Sequence, residues 1–373
     1  MSQSAAAETI VSTSETQSAR LRRLQRPGLI ALGIGLLAAL AGFFLDRDEF
    51  WRAYLFAWIF CLEIGLGGLG LVLLHHLAGG RWSAAVRPVA QSAALTLPVL
   101  GLFFLPLLVA LPALYPWADS GQMAASELLR SKSAWLNIPF FVGRAVIYFA
   151  VWILLAVGMK RLSQSATRSR QLAAVGMILY VLTTTFAAFD WMMSLEPTWF
   201  SSIYGLLFLA GQVVAGISLA VIGLHLSSRE LSAGQQPIQS FNDLGNLLLA
   251  SVMIWAYFAF SQYLIIWSAN IPEEAVWYAH RSGGGWQWVA LALIGLHFVL
   301  PFALLLSRSV KRNPRVLVWL AGLLFLARAV DLYWLIVPAF HPEGMYFHWL
   351  YPLLLVGLGG GWLALFVRQT AGR

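Results

Sequence analysis

The chain has a single cysteine, Cys61, among its 373 residues. One thiol cannot form an intramolecular disulfide or a metal site with several thiolate ligands, so both are excluded. Cys61 lies within an apolar run, where we interpret it as a small buried hydrophobic side chain. The sequence also contains no C-x-x-C-H, H-E-x-x-H, P-loop or nucleophile-elbow motif, so no metal site and no covalent catalytic apparatus is predicted.

Charged residues are scarce as well, at 11% of the chain, whereas a soluble domain carries about a quarter. Residues of the AVILMFWYC class make up 60%, and runs such as 30–45, 100–114 and 244–267 reach or approach the length of a membrane-spanning helix. These runs are apolar on all faces, whereas the strands of a membrane barrel would alternate polar and apolar residues. The sequence therefore predicts an all-α polytopic membrane protein.

Ten transmembrane helices are predicted within one membrane domain, residues 28–367. A disordered cytoplasmic tail is predicted before it over 1–27, and a short cytoplasmic tail after it over 368–373. A signal peptide is the alternative for the N-terminal segment, but no small-residue cleavage site follows the first apolar run. The predicted spans are 28–45, 54–77, 92–114, 138–160, 171–189, 203–226, 244–267, 288–307, 316–338 and 350–367.

The net charge of +8 comes from Lys and Arg residues that cluster between the apolar runs, which is typical of topology signals rather than of nucleic-acid binding. With ten spans, most of these cations lie on the side that holds both termini. The opposite loops hold only Arg47, Arg52, Arg130, Lys132 and Arg281. The positive-inside rule then predicts that both termini lie in the cytoplasm, as in a multi-pass inner-membrane protein.

The predicted outer loops are acidic and rich in tryptophan. Aromatic rings favour the membrane interface, so an aromatic belt explains part of this enrichment. We interpret the remainder as a surface that docks a partner protein on the periplasmic side.

Five ionisable side chains are predicted to lie at membrane depth, where inserting each charged group costs about 2.5–3.5 kcal/mol. Since such groups usually serve a function, we interpret these five as candidates for a proton path. They are Asp331, Arg328, Glu63, His297 and Arg144.

Arg328 and Asp331 are three positions apart, so they share a helix face and can pair. Burial favours the neutral acid and the guanidinium favours the carboxylate, so both a structural ion pair and a proton relay remain open. Glu63 has no cation nearby in sequence, and it either pairs across helices or is protonated at rest. His297 is either a hydrogen-bonded structural residue or a relay, because imidazole exchanges protons near neutral pH.

Haem between two histidines is a further alternative. His75 and His76 are adjacent and cannot both face one iron, so only His75 with His225 remains geometrically feasible. His225 lies at a helix end, and His280, His341 and His348 are predicted in outer loops, so we expect no haem and no metal in this chain.

Residues 189–205 read FDWMMSLEPTWFSSIYG, and this stretch resembles the second quinone-associated membrane subunit of Alternative Complex III, a bacterial quinol:cytochrome c oxidoreductase. The resemblance is close over about 180–340. It is also carried by Phe241-Asn242-Asp243-Leu244-Gly245, Trp255-Ala256-Tyr257, Phe260-Ser261-Gln262-Tyr263, residues 266–274 (IWSANIPEE), and residues 328–334 (RAVDLYW) with Pro338.

The resemblance implies an NrfD-like fold, in which two four-helix bundles are flanked by one helix at each end. It implies as partners a sister NrfD-like subunit, an iron–sulfur subunit and multihaem cytochromes c, besides membrane lipid and without nucleic acid. No covalently bound cofactor is expected, and the expected ligand is a quinone or quinol, either menaquinone or ubiquinone. On matching positions it suggests Asp190, Gln262 and Tyr333 for a quinone-binding site or periplasmic rim, and Asn242 and Asp243 for proton uptake from the cytoplasm.

The predicted function is that of a membrane subunit that shapes a quinol environment and passes protons without holding an electron carrier. A proton-coupled secondary transporter is the alternative, since it would also place ionisable groups within ten helices. Against it, no broken Gly/Pro segments occur in matching halves of the sequence. A third hypothesis is a purely structural scaffold.

Overall fold

The computed structural model describes residues 3–228 and 238–371, and within these ranges every regular element is helical. Ten helices are long and apolar enough to cross a membrane, which confirms the predicted all-α polytopic fold and the number of spans. Residues 229–237, part of the predicted cytoplasmic loop 227–243, lie outside the described residues. So do residues 1–2 and 372–373 at the termini.

We number the ten spanning helices α1 to α10. Their bounds are α1 Gln3–Leu45, α2 Arg47–Ala78, α3 Val86–Val109, α4 Ile138–Arg161, α5 Ala166–Trp191, α6 Tyr204–Ser228, α7 Ile238–Ala269, α8 Trp286–Leu306, α9 Pro314–Ile336 and α10 Leu350–Ala371. Short helices occupy the connections, among them Ser120–Ala125, Glu127–Ser131, Pro272–Ser282 and Arg308–Arg312.

The first and last helices extend beyond the predicted membrane domain. α1 begins at Gln3, within the segment 1–27 predicted as a cytoplasmic tail, and continues through Pro27 to Leu45. The segment has no proline before Pro27 that would interrupt a helix. At the other end α10 extends to Ala371, into the predicted tail 368–373.

Two spans are irregular because of proline. α3 is made of the end of the helix Arg81–Ala94, followed by Leu97–Leu102 and Leu105–Val109, and the second and third pieces each carry a proline in the first turn. In α8, Ile294–Val299 form a π-helical turn just before Pro301. Proline cannot donate to the carbonyl four residues earlier, which here belongs to His297. α3 is thus a span broken at proline, whereas the sequence was expected to lack broken segments in matching halves.

The spans pack as the predicted pair of four-helix bundles. One bundle contains α2, α3, α4 and α5, and the other contains α6, α7, α8 and α9. α1 and α10 pack on each other at the flank, where a Cβ on Gly35 would overlap the backbone of Gly357. α2 joins the two bundles and α10, and 94% of its most apolar segment is buried.

The connections form two ends. We call the end that holds the α1–α2, α3–α4, α5–α6, α7–α8 and α9–α10 connections the loop-rich end. These segments contact one another there, for example through the indole Nε1 of Trp117, 3.2 Å from Ser194 Oγ, and of Trp286, 3.3 Å from the carbonyl of His341. The opposite end holds the other connections, and we call it the terminal end.

Candidate functional site

The middle of the membrane domain contains two carboxyl groups on one guanidinium. Arg328 of α9 donates from Nε to Glu63 Oε1 at 2.7 Å and from Nη2 to Glu63 Oε2 at 3.1 Å. Its Nη1 donates to Asp331 Oδ2, one turn further along α9. The three side chains are almost completely buried. The predicted Arg328–Asp331 pair therefore exists, and Glu63 pairs across helices rather than standing alone.

Glycine makes room for this arrangement. Gly211 of α6 lies against the Arg328 guanidinium, and a Cβ at that position would overlap its nitrogen and carbon atoms. Gly67 of α2 lies against the backbone of α6. A Cβ added to Gly67 would be 3.1 Å from the Cα of Gly216. Small residues let membrane helices approach closely, and here they bring α2, α6 and α9 together around the charges.

Two aromatic side chains extend the group toward α7 and α8. The Trp255 indole Nε1 donates to Asp331 Oδ2 at 2.9 Å, and its ring centroid lies 3.9 Å from that of His297. His297 is fully buried in the π-helical turn, and neither of its ring nitrogens has a hydrogen-bond partner among the described residues. We call Glu63, Arg328, Asp331, Trp255 and His297 the central cluster.

The charges of the central cluster do not balance when both carboxyl groups are ionised and His297 is neutral. Arg328 keeps its proton, so two carboxylates would then leave one net negative charge in a buried site. A proton on Glu63, Asp331 or His297 removes that excess. The arrangement can therefore hold one proton in more than one place, as a relay requires.

Arg144, the fifth residue predicted at membrane depth, belongs to a separate group. It binds Asp190 through two parallel hydrogen bonds of 2.8 Å, and Tyr148 donates to the same carboxylate at 2.8 Å. Trp135 contributes an indole N–H at 3.1 Å and a backbone carbonyl that accepts from Arg144 at 2.9 Å. We call these four residues the Arg144–Asp190 cluster. Its charges are paired and its hydrogen bonds satisfied, as in a structural ion pair.

The three residues suggested for a quinone site or rim do not come together. Asp190 is held in the Arg144–Asp190 cluster. Gln262 Oε1 accepts from Ser201 Oγ at 3.2 Å. Tyr333 donates to the backbone carbonyl of Tyr346.

The suggested proton-uptake residues lie at the start of α7. Asn242 and Asp243 are both half-buried, and Asn242 Oδ1 is a buried acceptor without a hydrogen-bond donor among the described residues. They lie in the first two turns of α7, which begins at Ile238.

A pocket of about 290 Å³ lies at the loop-rich end, between residues 131–136 and 189–200. Its walls are largely apolar and include Trp135, Phe189 and Phe200. Lys132 reaches across it to donate to the carbonyl of Pro197 at 2.6 Å, and burial lowers the pKa of this ammonium. Since Trp135 also binds Asp190, the pocket adjoins the Arg144–Asp190 cluster.

Sequence analysis missed a buried group at the loop-rich end. Glu49 accepts from the Tyr351 hydroxyl at 3.1 Å and from Arg52, and its Oε1 lies 2.8 Å from His341 Nε2. We call these four residues the Glu49 cluster. The residues lie at helix ends or in a loop, where charged side chains are ordinarily solvated, so only their pairing across about 290 positions reveals the site.

A second missed group is formed by Glu196, Arg281 and His280. Arg281 donates to Glu196 Oε2 at 2.6 Å and to the carbonyl of Leu335 at 2.9 Å, and His280 Nδ1 lies 2.9 Å from Glu196 Oε1. Glu196 belongs to the stretch 189–205 that carries the resemblance, which was the available signal.

The histidines considered for haem lie in different contacts. The His75 ring packs on His76 with centroids 4.7 Å apart, and the His225 ring packs on Phe241 at 6.5 Å. Among residues 3–228 and 238–371, no group of three or more His, Cys, Asp or Glu side chains is arranged to hold a metal ion.

Two comparisons with known proteins found no match. No protein-family model matches the chain, and no curated protein shows significant similarity to it.

Proposed function

We propose that this chain is a membrane subunit of a respiratory quinol:cytochrome c oxidoreductase of the Alternative Complex III type, and that its central cluster passes protons. The observation that carries the proton role is the set of two carboxyl groups on Arg328, extended through Trp255 to the unpaired His297. The assignment to this complex is supported by the sequence motifs of residues 189–205, 241–274 and 328–338.

Quinol oxidation releases two protons together with two electrons, so a quinol oxidoreductase needs groups that accept and pass protons. A proton that reaches the central cluster binds a carboxyl oxygen of Glu63 or Asp331, because the Arg328 guanidinium does not deprotonate. Neutralising one carboxylate weakens its bond to Arg328 and leaves the other carboxylate paired. Protonation thus alternates between two sites that share one cation.

The proposed orientation follows from charge. The terminal end carries most of the Lys and Arg residues, so we place it in the cytoplasm of a bacterial inner membrane. The loop-rich end then faces the periplasm. Its acidic and tryptophan-rich surface would dock the iron–sulfur subunit and the multihaem cytochromes c, with the sister NrfD-like subunit beside it in the membrane.

We place the contribution to the quinol environment at the pocket beside Trp135. The pocket has apolar aromatic walls and the Lys132 ammonium at one side, which suits an apolar ring with carbonyl or hydroxyl groups. In this proposal the chain contacts quinone or quinol and holds no electron carrier itself.

A proton-coupled secondary transporter is the second candidate, and one observation favours it. α3 is broken at prolines and α8 contains a π-helical turn beside a buried histidine, and discontinuous helices line the substrate sites of transporters. The two irregular spans occupy different positions in their bundles. In chain order, α3 is the second helix of the first bundle and α8 is the third helix of the second bundle. An inverted repeat would place them at corresponding positions, so we prefer the subunit.

Purification of the full chain from its native membranes in a mild detergent tests the proposed function. We expect c-type haem absorbance and quinol-dependent cytochrome c reduction in the same fraction. A chain that elutes alone, without haem, and accumulates a solute against a proton gradient in vesicles is a transporter and contradicts the proposal.

A further inference from the structure

We infer that His341 passes protons between the buried Glu49 carboxylate and the water at the loop-rich end. The inference rests on the proposed function only for the source of those protons, the central cluster. His341 would be a proton-transfer residue at the opening of the path, a role that the sequence did not suggest.

Glu49 is a built acceptor site. It lies in the first turn of α2, where the helix N-terminus favours a negative charge, and 3% of the residue is exposed. Its backbone N–H bonds the side chain of Asp46, which fixes the turn. The carboxyl group accepts hydrogen bonds from Tyr351 and Arg52, and its Oε1 lies 2.8 Å from His341 Nε2. Either group can hold the proton of this last hydrogen bond, so Glu49 and the imidazole can exchange it.

The two ring nitrogens of His341 face opposite surroundings. Nε2 lies 2.8 Å from buried Glu49 Oε1, and Nδ1 lies 3.6 Å from Glu343 Oε1, whose side chain is 74% exposed. One nitrogen thus meets a carboxylate inside the protein and the other meets a carboxylate in water. This is the geometry of an imidazole that takes a proton on one side and releases it on the other.

The transfer balances without any further reactant. A proton moves from the Glu49 carboxyl to Nε2, which leaves a carboxylate and an imidazolium. The imidazolium then releases the Nδ1 proton to Glu343 or to water and becomes neutral again. The starting state returns when the remaining ring proton moves from Nε2 to Nδ1 and Glu49 takes up the next proton from the interior of the membrane domain.

The other groups around the ring are consistent with this cycle. Arg52 Nη1 lies 3.5 Å from Nε2 and offsets the charge of Glu49, so Glu343 is left to stabilise the imidazolium. The Tyr346 ring stacks on His341 with centroids 3.8 Å apart and holds its orientation. Two carboxylates and one guanidinium therefore surround an imidazole that can be neutral or positively charged.

The Glu49 cluster and the central cluster share helices. Tyr351, which donates to Glu49, packs on Tyr333 of α9 with 5.2 Å between the ring centroids. Along α2, Glu49 and Glu63 are separated by about 21 Å. The Glu49 cluster therefore lies at the loop-rich end of the helix that carries Glu63, and the inference requires protons to cross the distance between them.

The chain provides a matched control. His280 also lies at the loop-rich end, 2.9 Å from Glu196, whose carboxylate is bound by Arg281. This group has the same Glu, Arg and His composition, and its arginine is tied to the backbone at Leu335. His341→Gln and His280→Gln remove the same chemistry from two similar groups, of which only one is inferred to conduct.

The test compares the full chain, in its purified assembly in sealed vesicles, with three variants. Proton release at the loop-rich end during quinol oxidation is followed with a pH-sensitive dye. We expect His341→Gln to slow release by about tenfold or more. His280→Gln should leave it unchanged, and Glu343→Gln should slow it by less. Equal rates in all three variants and the unmodified chain overturn the inference.

A second measurement does not depend on electron transfer. Exchange of the His341 ring proton with water is measured by histidine-selective NMR in nanodiscs, and its signal is assigned as the one that single replacements of the other six histidines leave in place. We expect Glu343→Gln to slow this exchange, and an unchanged rate contradicts the inference even if the first variant fails to fold. If Asp331→Asn stops proton movement and His341→Gln does not, only this inference fails. If His341→Gln stops proton movement and Asp331→Asn does not, the proposed function fails.

Discussion

Arg328 of α9 and Glu63 of α2 form a pair with two hydrogen bonds although 265 positions separate them in the chain. Neither side chain is exposed. This pair joins the second bundle to the helix that belongs to the first, so it is central both to stability and to the proposed proton path.

Removing one partner should therefore destabilise the protein. Glu63→Ala leaves Arg328 paired with Asp331 but removes the acceptors of two of its buried N–H groups, and each buried donor left unpaired costs about 1–3 kcal/mol. Glu63→Gln keeps a hydrogen-bond acceptor and should cost less. Unfolding in detergent by thermal and denaturant titration measures both, and equal stability of Glu63→Ala and the unmodified protein would contradict the prediction.

Gly211→Ala should disturb the same pair by steric overlap. The added Cβ would overlap the Arg328 guanidinium, so the arginine must move and its bonds to Glu63 must lengthen. We expect both lower stability and slower proton movement. Gly322→Ala in α9 is the control, because no atom lies within 4 Å of its added Cβ; if both variants behave alike, the close approach of α6 to Arg328 has no importance.

Arg144→Ala should separate structure from conduction. Asp190 would lose two hydrogen bonds and its counter-charge, so the protein should be less stable. Proton movement per electron should stay unchanged in the molecules that remain folded, because this cluster shares no contact with Arg328. A changed ratio in folded Arg144→Ala would place Arg144 in the proton path.

His297→Phe tests the imidazole. Neither ring nitrogen has a hydrogen-bond partner among the described residues, so an aromatic ring of similar shape can pack on Trp255 at little cost in stability. We expect folding to persist and proton movement to slow. Full proton movement in a stable variant would show that His297 only fills space.

The membrane spans could be predicted from the sequence because hydropathy and length are local properties. The ten predicted spans and the observed ones differ mainly by a few residues at their ends. The Arg328–Asp331 pair could also be predicted, since a spacing of three positions places both residues on one helix face.

The partners across helices could not be predicted, because hydropathy does not specify which faces meet. Glu63 had no cation nearby in sequence, and only the packing of α2 against α9 supplies Arg328. The same reason explains the missed pair of Glu49 and His341, which lie at two helix ends that the fold brings together.

Asp331→Asn tests the central claim most directly. Asparagine retains an oxygen that can accept the Trp255 N–H, but it cannot bind or release a proton in the way a carboxyl group does. The measurement is the number of protons moved per electron during quinol oxidation by the purified assembly in sealed vesicles. We predict a lower ratio in Asp331→Asn with electron transfer retained, and an unchanged ratio in a stably folded variant would contradict the proposed role of the central cluster.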